Sequence, residues 1–130
     1  MKITLAKTAG FCFGVNRAVE EANKLLDNES IVYCLGEIVH NKQVVENLEN
    51  KGMKTVNSLD EIPDESTVIF RAHGEAESVY KKAVAKKLKV IDLTCGKVKA
   101  IHLKVQRNKE DSFILIVGNI VRFMMKRMDV

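Results

Sequence analysis

Tryptophan is absent from this chain, and aromatic residues of all kinds make up only 5% of its 130 positions. Its core must therefore be built from Val, Ile, Leu and Ala. No apolar run approaches the length needed to cross a bilayer. The opening Met1–Lys7 is too short an apolar stretch for a secretory leader, so a cytoplasmic protein is expected. Cysteine is scarce as well. Cys12, Cys34 and Cys95 are odd in number and widely spaced, which argues against a disulfide framework and leaves metal ligation, catalysis or burial. Nor does one sign of charge dominate: 21 Lys and Arg stand against 17 Asp and Glu, a formal charge of +4. That excess suits an anionic small substrate and falls short of a nucleic-acid signature. The densest basic run, Lys81–Lys89, reads as the solvated face of a helix. Only Tyr80 is interleaved for base stacking, so an RNA-binding module is the poorest of the readings.

What is present is an ordinary globular composition, 46% hydrophobic and 29% charged, long enough for one domain with a real core. Short β-rich runs alternate with amphipathic patterns, without internal repeats or low complexity. Strands are predicted at Lys2–Ala6, Ile31–Leu35, Lys54–Val56, Thr67–Phe70, Val90–Asp92 and Ser112–Val117. Helices are predicted from Asn16 to about Asp27, and over Lys42–Lys51, Glu77–Lys87 and Lys97–Asn108. The last should carry Val98, Ile101 and Val105 on one face. Gly52 sits where a C-cap glycine belongs, and Ser58–Glu65, with the only proline, reads as turns. This alternation predicts the α/β class, a mainly parallel sheet flanked by helices on both faces.

In such sheets ligands bind beyond the carboxyl ends of the strands. Cys12, His40, His73 and Cys95 all fall in strand-to-helix connections on that edge, each near a glycine where backbone can approach a ligand. Cys12 and Cys95 share a context just before a helix, which favours thiolate and suggests a shared soft metal centre. With His40 and His73 they could instead make a tetrahedral zinc site, although no compact zinc module has this spacing. The imidazoles could equally hold phosphate. Arg71 is expected to pair with a local carboxylate, Cys34 to be buried, His102 to lie at the surface, and Glu37 to be an ordinary loop carboxylate.

Gly10-Phe11-Cys12-Phe13-Gly14-Val15 with Arg17-Ala18-Val19 resembles the opening of the 4-hydroxy-3-methylbut-2-enyl diphosphate reductase family. So do Gly36-Glu37-Ile38-Val39-His40-Asn41, Arg71-Ala72-His73-Gly74 and Asp92-Leu93-Thr94-Cys95, in the same order. The resemblance covers roughly residues 1 to 118. It implies a first α/β domain over 1–95, the start of a second over 96–118, and a divergent tail over 119–130, in a family of three such domains. It also implies an oxidoreductase of the non-mevalonate isoprenoid pathway. Such an enzyme removes the hydroxyl of an allylic diphosphate to give isopentenyl and dimethylallyl diphosphates, with electrons from a ferredoxin or flavodoxin and no nucleic-acid or membrane partner. By resemblance, Cys12 and Cys95 are two of three thiolates on a [4Fe-4S] cluster, and His40 and His73 hold the diphosphate. The family's His-Pro-Glu motif, whose Glu takes part in proton delivery, has no counterpart here, so no catalytic residue is assigned. The tail from Asn119 has neither His nor Glu, and Gly96 stands where a proline is often found. The chain is thus expected to be a truncated amino-terminal portion that is inactive alone and able to self-associate. The alternative is a non-redox zinc- or phosphate-binding α/β module.

Overall fold

Four short runs rich in β-branched residues pair edge to edge. They are β1 (Val32–Leu35), β2 (Met53–Val56), β3 (Thr67–Phe70) and β4 (Lys89–Asp92). The computed structural model describes Ile3, Thr4, Lys7 and residues 10–108. The strands expected at Lys2–Ala6 and Ser112–Val117, and the tail from Asn119, fall wholly or largely outside the described residues. The sheet has the order β2-β1-β3-β4 and every pairing is parallel. Parallel neighbours need crossovers, and helices α1 (Phe13–Leu26), α2 (Lys42–Asn50), α3 (Glu77–Ala85) and α4 (Gly96–Asn108) accompany the strands. No helix among the described residues is long and apolar enough to cross a membrane.

Side chains alternate across a strand, so each strand serves two cores. Val32, Cys34, Met53 and Ile69 face α1 and α2, packing with Ala18, Ala22, Leu26, Val45 and Leu48. Leu35, Val56, Val68 and Phe70 face the other way, onto Ala83 of α3 and onto Leu59 and Ile62. The expected two-sided sheet is therefore present. Ala18 and Ala22 recur at i and i+4, and their small side chains let α1 lie close to the sheet. Phe70 is fully buried and meets Tyr80 edge to face, with ring centroids 4.9 Å apart.

Three local features differ from the sequence expectation. Helix α1 starts at Phe13, not Asn16, and takes in Gly14, a poor helix former. Within Ser58–Glu65 a 3-10 turn, Leu59–Glu61, is fixed by a capping box between Ser58 and Glu61. The face expected on α4 is only partly covered: Val98 and Val105 are half-buried, Ile101 is 52% exposed, and no residue of α4 is fully buried.

Candidate functional site

From β1 the chain turns through α2 to β2 on one side, then passes back to β3 on the other. The connections leaving β1 and β3 diverge to opposite faces, which opens a crevice at their carboxyl ends. The segment 36–40 follows β1 and carries His40; Arg71–Gly74 follows β3 and carries His73. The two imidazoles meet there, with ring centroids 5.7 Å apart and planes 37° from parallel. Asn41 accepts a hydrogen bond from the Val44 amide and so caps α2 directly after His40. His73 keeps access to solvent, but partial burial and then the cationic Arg71 and His40 hold its pKa below the ordinary histidine value. Glu37 lies 3.6 Å from His40 Nδ1 with both side chains mostly exposed, as expected of a loop carboxylate.

Arg71 pairs with a local carboxylate, as expected. Its Nε stands 3.6 Å from Oε1 of Glu75, whose side chain is only 4% exposed. The guanidinium reaches across to Gly36, where an added Cβ would lie 2.5 Å from Nη1. Beside these residues a groove of about 570 Å³ extends along Glu37, His40, Ser58 and Lys82. Two of its cations are already neutralised, since Lys82 Nζ is 2.6 Å from Asp60 and Arg71 is paired with Glu75.

Main-chain bonding carries the sheet edge on toward Cys95: Leu93 N–H donates to Phe70 O, and Cys95 N–H to Ala72 O, both at 2.9 Å. The Cys95 turn is therefore tied to the residue before His73. Cys12 is the N-cap of α1, in extended conformation and with no capping bond from its side chain. A Cβ on Gly14 would stand 2.8 Å from Cys95 Sγ, so the Cys12 loop abuts the Cys95 turn only because position 14 has no side chain. That contact also explains the early start of α1, since tertiary packing outweighs the propensity of glycine. His102 is exposed, as expected, and its ring rests near Gly74, with Thr94 on the same side.

Asp92 organises the Cys95 turn, and the sequence reading passed over it. Its Oδ1 accepts from the Thr94 amide at 2.9 Å and from the Thr94 hydroxyl, while Oδ2 pairs with Lys99 at 2.8 Å. Burial pushes its carboxyl up, but the Lys99 and Thr94 bonds prevail and hold its pKa below the usual range. The Asp-x-Thr spacing ahead of a helix start is the signal that could have revealed it. A depressed carboxylate stabilises the fold above its unfolded pKa, and that contribution disappears as pH falls through the folded value. Asp92→Asn should cost about 1–2 kcal/mol near neutral pH and less in acid, read from urea unfolding at several pH values. An equal loss at every pH would contradict the assignment.

Cys34 is buried in the sheet, as expected, and burial raises its thiol pKa to about 12. It is therefore no third partner for Cys12, which is exposed, or Cys95, which is partly so. Among the described residues, no group of three or more His, Cys, Asp or Glu is arranged to hold a metal ion. The two thiols do not by themselves fit a three-thiolate centre.

Residues 3–121 match the family model described as LytB protein. The chain is 46% identical over 121 residues to a 4-hydroxy-3-methylbut-2-enyl diphosphate reductase of Clostridioides difficile, covering 92% of this chain and 43% of the relative. It is 46% identical over 112 residues to the enzyme of that name from Marinobacter nauticus, covering 85% and 35%. A solved structure of (E)-4-hydroxy-3-methyl-but-2-enyl diphosphate reductase, the terminal enzyme of the non-mevalonate pathway, superposes with a TM-score of 0.77. That match is 43% identical and covers 90% of this chain and 42% of that one. The E-1-hydroxy-2-methyl-but-2-enyl-4-diphosphate reductase of Plasmodium falciparum gives 0.76 at 34% identity, covering 82% and 34%. The chain thus spans less than half the length of these relatives. A family model over nearly the whole chain, a shared fold and this level of identity lead to one conclusion: the chain belongs to the LytB family.

Proposed function

We propose that the chain provides the diphosphate-binding half of a 4-hydroxy-3-methylbut-2-enyl diphosphate reductase. Residues 1–95 are its first α/β domain and 96–118 begin a second. The reaction is reductive removal of the allylic hydroxyl, giving isopentenyl and dimethylallyl diphosphates in isoprenoid biosynthesis. The observation that carries this reading is the His40–His73 pair at the β1/β3 switch point, two imidazoles 5.7 Å apart where an α/β sheet takes its ligands. An imidazolium donates charge-assisted hydrogen bonds to phosphate oxygens, and two converging rings suit a diphosphate better than a lone anion.

The cofactor implied is a [4Fe-4S] cluster, to which Cys12 and Cys95 would give two thiolates. Soft thiolates are the right donors for it. Cys34 is sealed in the core, so the cysteines of this chain do not complete a set of three. A cytoplasmic setting and a ferredoxin or flavodoxin as electron donor belong to the same proposal. So does self-association, which the exposed Ile101 and Leu103 on α4 support.

Calorimetric titration of the full chain with inorganic pyrophosphate tests the binding role, and binding is expected without added metal. Binding only in the presence of stoichiometric zinc would favour the zinc module instead. After anaerobic treatment with iron and sulfide, the chain should show no turnover of the allylic diphosphate with a chemical reductant. Joined at residue 118 to the remainder of the Clostridioides difficile relative, it should turn over. A chimera that folds, binds iron and stays inactive would defeat the proposal. Thiol exposure gives a simpler check: in the native chain a maleimide should label Cys12 and Cys95 and spare Cys34 until urea is added.

A further inference from the structure

We infer that Arg71 and Glu75 form a clamp that holds the His40 loop and the His73 loop in register across the switch point. Arg71 is thus a positioning residue and not a ligand of the anion. The inference rests on the reading that His40 and His73 receive the diphosphate.

Arg71 is the first residue after β3, and Gly36 is the first after β1. The guanidinium bridges the two, lying where a Cβ on Gly36 would be 2.5 Å from Nη1 and 2.8 Å from Cζ. Gly36 has φ +73°, so both its backbone and its contact with Arg71 require glycine. On the other side, Gly74 N–H donates to Arg71 O at 3.0 Å, and Gly74 has φ +76°. This tight turn places His73 at its tip and sends Glu75 back toward Arg71. The Arg71 and Glu75 side chains are 27% and 4% exposed. A carboxylate so far removed from water is tolerable only beside a cation.

A buried ion pair adds little net stability, because desolvation offsets the attraction. Holding one arrangement is what it does well. Here the arrangement joins the loop that leads in four residues to His40 with the turn that presents His73. Glu75 also neutralises Arg71, so the charge beside the crevice is not offered to an incoming phosphate.

The two roles predict opposite signs for Glu75→Gln. If Arg71 were an anion ligand, removing Glu75 would release it and tighten pyrophosphate binding. For a clamp, the same change loosens both loops and weakens binding, although the net charge becomes more positive. With the aligned histidines left about one-tenth populated, affinity falls about tenfold. Arg71→Lys should weaken binding likewise, since an ammonium keeps the charge but cannot fill the guanidinium's place between Gly36 and Glu75.

The experiment uses the full chain as wild type, Glu75→Gln and Arg71→Lys. Inorganic pyrophosphate affinity is measured by calorimetry, and the ring-to-ring nuclear Overhauser effect between His40 and His73 by NMR. Loss of that effect in both variants, with affinity down about tenfold, is the expected result. Tighter pyrophosphate binding by Glu75→Gln, or an unchanged ring contact in both variants, overturns the clamp. If the wild type ignores pyrophosphate while the variants lose the ring contact, the diphosphate reading fails and the clamp stands. Should the variants not fold, the wild-type Arg71 Nε–H decides. Slow exchange with solvent supports the clamp, and exchange as fast as that of the exposed Arg107 overturns it.

Discussion

Replacing Gly52 by alanine is expected to destabilise the fold by about 3 kcal/mol, combining backbone strain with overpacking. Gly52 has φ +112°, outside the range that L side chains adopt comfortably. An added Cβ would lie 2.4 Å from the carbonyl oxygen of Ser30, a backbone atom that cannot swing aside. Relief by local movement is also blocked. Gly52 N–H donates to Glu49 O at the end of α2, and Val32 N–H donates to Gly52 O at the start of β1. For a domain of about 100 residues with some 5–15 kcal/mol in hand, the loss is a large fraction of the whole. Gly96→Ala is the control. It has no positive φ and no atom within 4 Å of its added Cβ, so it should be near neutral. Urea midpoints for the two variants check this, and similar values would refute the account.

Pyrophosphate binding should respond most to His73. Each hydrogen bond from a cationic ring to phosphate is worth about 1.5–3 kcal/mol, so His73→Ala should cost about 10- to 100-fold in affinity. His102→Ala, on the far side of Gly74, should cost little. The depressed pKa of His73 sets the pH dependence. The free ring is largely neutral at pH 7, while a bound anion favours the cation, so binding takes up a proton and strengthens as pH falls. For folding the linkage has the opposite sign. The unfolded chain takes the proton first, so stability from this site is present above the ordinary histidine pKa and is lost as pH falls below it. Calorimetry in two buffers of different ionisation enthalpy measures the uptake. Binding with no proton uptake would exclude His73 as the responding group.

The sheet and its helices were legible because they are written in local pattern. Thr67–Phe70 is bounded at the same residues in sequence and structure, and β1, β2, β4, α2 and α3 shift by one or two. The edge that holds the candidate site followed from alternation alone, and His40 and His73 do meet there. Less legible were features made by contacts distant in sequence. Gly14 reads as a loop residue until Cys95 is placed against it. The burial of Glu75 was hidden for another reason: its partner Arg71 is only four residues away, but a polar residue after a turn gives no sign that the fold will cover it. The exposure of α4 was likewise hidden, because a periodic apolar face shows what a helix can cover and not whether anything covers it. The Ser58–Glu61 capping box, by contrast, was readable and was passed over as a generic turn.

The strand order also has a consequence for synthesis. Strand β1 is made before either of its neighbours: Val32 and Tyr33 pair with Met53 and Lys54 on one side, and Tyr33 pairs with Val68 on the other. At about 5–20 residues per second, the uncharged segment Val32–Leu35 spends seconds outside the ribosome with at least one bare edge. Such a segment recruits other strands readily. Holding it in check until Phe70 has emerged is therefore a task for chaperones or for the early packing of α1. The two histidines cannot meet before that moment, so binding competence arrives in a single step once His73 has emerged.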